Sequence, residues 1–163
     1  MTFTLDGHRS LAVEVQSLVT NSVLPTRAAP SWRGSSRIAM LVAVLYRHGG
    51  ISLLQNDLYI STIAGGQAKE PGCDLAITAA MASAALNKPI AKNVCAIGEI
   101  SLTGQVRPVP RLEYRLREAQ RLGVHESDRS GDPKAVRMEG MTLAPATNLK
   151  DALAFLHLAK QRH

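Results

Sequence analysis

Val94-Cys95-Ala96-Ile97-Gly98-Glu99-Ile100-Ser101-Leu102-Thr103-Gly104-Gln105-Val106-Arg107-Pro108-Val109 is the stretch on which the reading of this chain turns. An apolar strand over 94–99 carries a Gly-Glu step, a hairpin-like turn falls at Thr103-Gly104, and a proline-flanked entry leads into a helix from Arg111. Glycine tolerates positive φ and close backbone approach, so Gly98 and Gly104 are expected where one or the other is required. Pro108 and Pro110 lack an amide proton and stop the strand before the helix begins.

Downstream, Leu112, Leu116, Ala119 and Leu122 form one stripe of a helix over 111–123, with Gly123 as its C-cap. Ser127–Asp132 is polar and reads as a mobile loop, and Val136–Leu143 has room for one or two short strands. Asn148, with Asp151 three residues on, starts a last amphipathic helix that uses Leu149, Ala152, Leu156 and Ala159.

Upstream, Pro71 suits the first turn of an alanine-rich helix whose seam is Leu75, Ala79, Ala82 and Leu86, ended by Asn87-Lys88-Pro89. Residues 57–64 are rich in β-formers, and Gly65-Gly66 breaks them. From Arg37 to His48 the side chains are apolar on nearly every face, which predicts a central, buried helix with Ser35 or Ser36 as its cap. Val23–Pro30 reads as irregular, and residues 11–19 alternate around Val13 and Val15 as a strand with one wet side. Strands interleaved with packed helices predict an α+β (α/β layered) domain.

The chain has 163 residues, enough for one domain with a real core and little room for a second. Hydrophobic residues make up 45% and charged ones 20%, which excludes a disordered chain. The longest apolar run is bounded by Arg37 and Arg47 and is too short to span a bilayer. With Asp6 and His8 near its start the sequence shows no signal peptide, so a cytoplasmic location is the expectation. Two cysteines, Cys73 and Cys95, form no CxxC pair, and the five histidines are scattered, so no metal site is expected. A net charge of +6 suits an anionic partner, though a solvated basic surface accounts for it equally well.

Several blocks, in order, carry a family resemblance: Ala12–Val19, Pro25-Thr26-Arg27, Arg37–Leu45, Asp57–Ile60, Glu70–Ala76 and the 94–109 stretch. They resemble the Lon-protease-type domain, and most closely the Lon-like domain of the RadA family of bacterial DNA repair proteins. The resemblance covers most of residues 8 to 125 and implies the Lon proteolytic-domain architecture, related to the second-domain fold of ribosomal protein S5. It also implies that residues 1–163 are a single Lon-like domain from a longer protein with a zinc motif and a RecA-like ATPase. No Gly-x-x-x-x-Gly-Lys-Ser/Thr loop and no four-cysteine cluster occur here, so ATP and zinc are expected only in the other domains.

Lon-type peptidases attack with a serine that a lysine deprotonates, and both are needed at once. The family's serine follows proline in a Gly-Pro-Ser-Ala-Gly element, and that position falls on Gly72. Its lysine lies in a Gly-Gly-Leu-Lys element, and that position falls on Glu113. The resemblance therefore implies a lost dyad and no catalytic residues. The alternative is an active Lon-family peptidase, either of the Ser/Lys type with a displaced nucleophile or built on Cys73. Ser83 and Ser101 suit packing and turn roles.

What remains is binding. Arg107, Arg111, Arg115, Arg117 and Arg121 gather on one turn and helix, and Arg27, Arg33 and Arg37 form a second group. Arginine forks hold phosphates well, and several on one surface bind DNA without reading its sequence. Glu113, Glu118 and Asp128 offer some of them a salt-bridged, solvated face instead. The 4% aromatic content argues against base stacking. The resemblance adds a homo-hexameric ring and a RecA-type recombinase as partners in processing recombination intermediates, with no membrane involved.

Overall fold

A hairpin that the sequence reading left out opens the chain in the computed structural model, which describes residues 1–21, 36–63, 70–124, 126–130 and 139–158. β1 (Thr2–Asp6) pairs antiparallel with the first part of β2 (Arg9–Asn21), from Thr2↔Val13 to Asp6↔Arg9, around Gly7 at φ +58°. Beyond Val13, β2 changes partner and pairs antiparallel with β3 (Asn56–Ile63), from Glu14↔Ile63 to Asn21↔Asn56. The strands expected at 11–19 and 57–64 are therefore present. Val23–Pro30, Ser35 and Ala64–Gly66 lie outside the described residues.

Two helices exchange the roles the sequence suggested. α1 (Ser36–Gly49) buries only Leu41, Val42, Val44 and Leu45, while Ala43, Tyr46 and Arg47 face solvent. The central helix is instead α2 (Asp74–Leu86), preceded by a 3₁₀ turn at Pro71–Cys73, with Asp74 through Ala79, Met81 and Ala82 all buried. Alanine explains the exchange: its small side chain lets neighbours approach α2 from every direction, whereas α1's larger residues need only one packed side. α2 ends at Asn87, which takes the left-handed conformation at φ 50°.

β4 (Val94–Ile97) is followed at once by β5 (Glu99–Ile100), so the strand expected over 94–99 is broken at Gly98. Gly98 serves by close approach: its N–H donates to the Gly72 carbonyl and its carbonyl accepts from Leu75 N–H, each at 3.0 Å. β5 pairs antiparallel with β6 (Val106–Arg107) across a turn in which Gly104 has φ +78°. A Cβ on Gly104 would lie 2.6 Å from His48 Cγ, so this turn needs glycine twice over.

Of the polar stretch read as a mobile loop, residues 127–130 form a strand, and Gly131 and Asp132 lie outside the described residues. β7 (Glu126–Ser130) runs parallel to β4 on one side and to β8 (Thr142–Ala146) on the other. Side-chain polarity misled because the sheet is held here by main-chain groups, which every residue carries. The Met1 carbonyl accepts from Ala96 N–H at 3.0 Å, so the β1-β2-β3 and β4-β7-β8 sheets meet where β1 abuts β4.

α3 (Leu112–Arg121) ends as expected, with Gly123 at φ +80°. Val124 N–H reaches Ala119 O and Gly123 N–H reaches Gln120 O, each at 3.0 Å, the paired bonds of a Schellman cap. α4 (Leu149–Phe155) starts at Asn148, whose side chain accepts from Asp151 N–H at 2.9 Å. The main core joins α1, α2 and α4 to the sheets through Leu41, Leu45, Leu75, Met81, Leu149 and Leu153. A second core sets α3 against β1 and β4 through Phe3, Cys95, Ile97, Val109, Leu116 and Ala119.

Candidate functional site

The start of α2 is where the lost dyad should be looked for. Proline at the first turn and glycine behind it bend residues 70–73 tightly, with Cys73 N–H bonded to Glu70 O at 3.0 Å. Gly72 is buried and carries no side chain. A Cβ there would meet Glu70 Oε1 at 2.9 Å, Arg115 Nη1 at 3.0 Å and Val109 Cγ1 at 3.3 Å. Glu113, at the corresponding lysine position, is 56% exposed and pairs with Arg117 at 2.5 Å. Cys73 is fully buried, and burial, reinforced by the Glu70 charge, pushes its thiol up to about 12. Thiolate, not thiol, attacks, so such a group is inert near neutral pH. Ser83 Oγ donates to the Lys88 carbonyl at 2.6 Å, and Ser101 Oγ accepts from Gln105 N–H at 3.2 Å, as turn-stabilising hydroxyls do.

Two arginines converge on this segment from different elements. Arg37, in the first turn of α1, grips Asp74 at two points, Nε to Oδ1 at 2.6 Å and Nη2 to Oδ2 at 2.5 Å. Asp74 is fully buried, and its Oδ2 also accepts from Ile100 N–H at 3.1 Å. Burial pushes the Asp74 carboxyl up, opposed by the Arg37 and Ile100 donors, while the hydrogen bond to Asp74 holds the Arg37 guanidinium above its ordinary range. Arg115, from α3, is only 2% exposed. It pairs with Glu70, and it donates to Phe3 O at 2.8 Å and to Pro110 O at 3.1 Å.

Arg115 is thus placed inside, not on the basic surface where its charge suggested. The signal was present in the sequence: Arg115 lies three residues after Leu112 and four before Ala119, within the apolar stripe itself. Glu70 and Asp74, the acids that receive the two arginines, went unremarked. An acid in a tight apolar turn is the feature that would have drawn notice to them.

The other arginines divide into paired and unpaired. Arg117 pairs with Glu113, and Arg121 with Glu118 at 2.7 Å, which holds the Glu118 carboxyl below its ordinary range. Arg111 lies 4.6 Å over the Tyr114 ring and reaches Gly7 O at 3.5 Å. Arg107 is exposed on β6. Arg27, Arg33 and the side chain of Asp128 lie outside what the structure describes. The structure therefore brings Arg107 and Arg111 to the surface at the α3 entry and spends Arg37 and Arg115 on internal carboxylates. Exposed Arg9, opposite Asp6 at the hairpin turn, is a surface cation that the sequence reading passed over.

A groove of about 720 Å³ lies elsewhere, between β2 and the second half of α2, lined by residues such as Val15, Ser17, Ala80, Ala84 and Lys92. Among the described residues no helix is long and apolar enough to cross a membrane. No three His, Cys, Asp or Glu side chains among those residues group as a metal would require.

Comparison with known proteins agrees with this architecture. Residues 34–153 match the Lon protease (S16) C-terminal proteolytic domain. The chain is 36% identical over 155 residues to DNA repair protein RadA of Haemophilus influenzae, a match covering 93% of this chain and 33% of that protein. It is 35% identical over 153 residues to DNA repair protein RadA of Escherichia coli, covering 91% and 33% respectively. With DNA repair protein RadA of Mycolicibacterium smegmatis the figures are 40% over 146 residues, 90% and 30%. The chain thus spans about a third of the length of these relatives. It belongs to the Lon protease C-terminal proteolytic domain family, as a Lon-like domain of the kind found in RadA.

Proposed function

We infer that this chain is a non-peptidase Lon-like domain of a RadA-type DNA repair protein, working in the cytoplasm as a ring-forming platform and a sequence-independent DNA-binding surface. One observation carries the non-peptidase part: the buried turn at Gly72 holds no attacking hydroxyl, and the residue at the lysine position, Glu113, faces solvent in an ion pair. Cys73, the remaining nucleophile type in that turn, is buried and held protonated. The similarity to RadA proteins supports the DNA repair role. Arg107 and Arg111 at the α3 entry supply the cations for phosphate contact, while Arg117 and Arg121 beyond them are paired with Glu113 and Glu118. In the longer protein, ATP hydrolysis and zinc binding belong to other domains, and the ring is a homo-hexamer that serves a RecA-type recombinase.

Two measurements test this. Unfolded casein incubated with the protein stays intact, with or without Cys73→Ala; Cys73-dependent cleavage would establish the peptidase alternative. Gel shifts on duplex DNA, paired with solution mass on the same sample, show retardation that fades as salt rises. Absence of any shift at low salt counts against the DNA surface.

A further inference from the structure

We propose that the Arg115–Glu70 ion pair is an internal plug. It takes up main-chain groups of β1 that an added extended polypeptide would use, and it fills the space over Gly72 that a nucleophilic side chain would need. This rests on the non-peptidase reading and extends it from missing residues to a closed site.

A strand offers hydrogen-bonding groups on both edges, and an open edge is a template for another extended chain. β1 gives one edge to β2. Its other edge is met by β4 at Met1, whose carbonyl takes the Ala96 N–H. Two residues further on, β4 has ended, and two side chains take its place. Arg115 Nη1 donates to Phe3 O at 2.8 Å, and Glu70 Oε2 accepts from Leu5 N–H at 3.1 Å. One donor and one acceptor, two residues apart on one edge, repeat the bonds a neighbouring strand would make. The ion pair between Arg115 and Glu70 ties these two surrogates together.

The same two side chains close the volume over Gly72. Glu70 Oε1 and Arg115 Nη1 lie 2.9 and 3.0 Å from where its Cβ would stand. Any side chain at position 72 therefore displaces the plug or is displaced by it. Arg115 is fixed from behind by Pro110 O at 3.1 Å and lies beside Leu116, a residue of the second core, so the plug is anchored in α3 rather than in a loop.

The test is a double-mutant cycle with a binding readout. Gly72→Ala is measured by thermal denaturation in the native background and in Arg115→Ala. A loss of several degrees is expected in the first and a smaller one in the second, where Glu70 and Val109 still face the added Cβ; equal losses overturn the proposal. Fluorescein-labelled, carboxymethylated lactalbumin, a permanently unfolded chain, is then titrated by anisotropy. The native protein does not bind it and Arg115→Ala does; a folded Arg115→Ala that leaves the anisotropy flat overturns the proposal. Where Arg115→Ala does not fold, Arg115→Met keeps the packing while freeing Phe3 O, and the same two outcomes apply to its titration. Casein cleavage by the native protein sinks the non-peptidase reading, whereas failure of the cycle or the titration sinks only the plug.

Discussion

Arg37 and Asp74 join the first turns of α1 and α2 by a two-point ion pair, Nε–Oδ1 at 2.6 Å and Nη2–Oδ2 at 2.5 Å, with the carboxylate fully buried. A planar guanidinium matches both carboxylate oxygens at once, which lysine cannot do. The Ile100 amide adds a third donor, so this carboxylate ties both helices to β5. A cation that the sequence offered to an outside phosphate has an internal partner.

Breaking that pair should be costly. Removing one member of a buried ion pair strands the other, typically at about 3–5 kcal/mol. Arg37 retains 31% side-chain exposure, which lets solvent offset part of the loss when Asp74 is removed. Asp74→Ala is therefore expected near the lower end, about 3 kcal/mol, in urea denaturation. Arg37→Ala should cost at least as much, because it leaves the fully buried carboxylate without its cation. Arg37→Lys should recover only part of that loss, since one ammonium cannot replace the fork.

Cys73 yields a prediction about pH. Its thiol is raised in the folded state from an ordinary 9.0 to about 12, mainly by burial. The unfolded chain loses this proton first as pH rises, so the stabilising contribution is complete below pH 9 and fades between pH 9 and about 12. Alkaline denaturation should begin later in Cys73→Ala than in the native protein. At pH 8, Cys73 should resist a thiol reagent until denaturant is added, and immediate labelling of the folded protein would contradict the burial described above.

Gly104 separates two costs that usually come together. At φ +78° an alanine is strained whatever its surroundings, and here its Cβ would also strike His48 Cγ at 2.6 Å. Gly104→Ala should destabilise by about 1–3 kcal/mol from backbone strain, with the collision added. In a His48→Ala background the collision disappears and the strain stays. Thermal melts of the four proteins should therefore show partial relief, and complete relief would mean that the backbone is unstrained.

How much of this was legible in the sequence depended on what kind of information each feature carries. Leu112, Leu116 and Ala119 of the α3 stripe, Gly123, Asn148 and the Gly104 turn were readable, because each is set by residues within one or two turns of chain, whereas Leu122, the fourth member expected of the stripe, is exposed. The β1–β2 hairpin was legible and was missed: Thr2-Phe3-Thr4-Leu5-Asp6 alternates polar and apolar residues and Gly7 marks its turn, although burial of Thr2, Phe3 and Thr4 alike hides that alternation in the fold. β7 was missed because its pairing comes from β4 and β8, far away in sequence. At the candidate site, Gly72 and Glu113 were identified as lost positions by resemblance. The fate of Arg37 and Arg115 depended on Asp74 and Glu70, which lie 37 and 45 residues away along the chain.

The division of the arginines makes the DNA-binding proposal sharper. Arg107 and Arg111 have no carboxylate partner among the described residues, whereas Arg117 and Arg121 are held by Glu113 and Glu118. Each phosphate neutralised contributes about −0.9 to the slope of log affinity against log salt. Arg107→Ala and Arg111→Ala should each lower that slope by about 1 and weaken binding to every duplex sequence alike. Glu113→Gln and Glu118→Gln should do the reverse: freed from their acids, Arg117 and Arg121 become available to phosphate, and binding tightens with a steeper slope. Glu118 is the stronger case, because Arg121 meets its carboxylate at two points, Nε at 3.0 Å and Nη2 at 2.7 Å. Gel shifts across a salt series distinguish these changes from general destabilisation, since an unfolded fraction lowers affinity without raising the slope. If Glu118→Gln weakened binding as Arg107→Ala is expected to do, α3 would be a solvated, salt-bridged face and the DNA track would have to lie elsewhere on the domain.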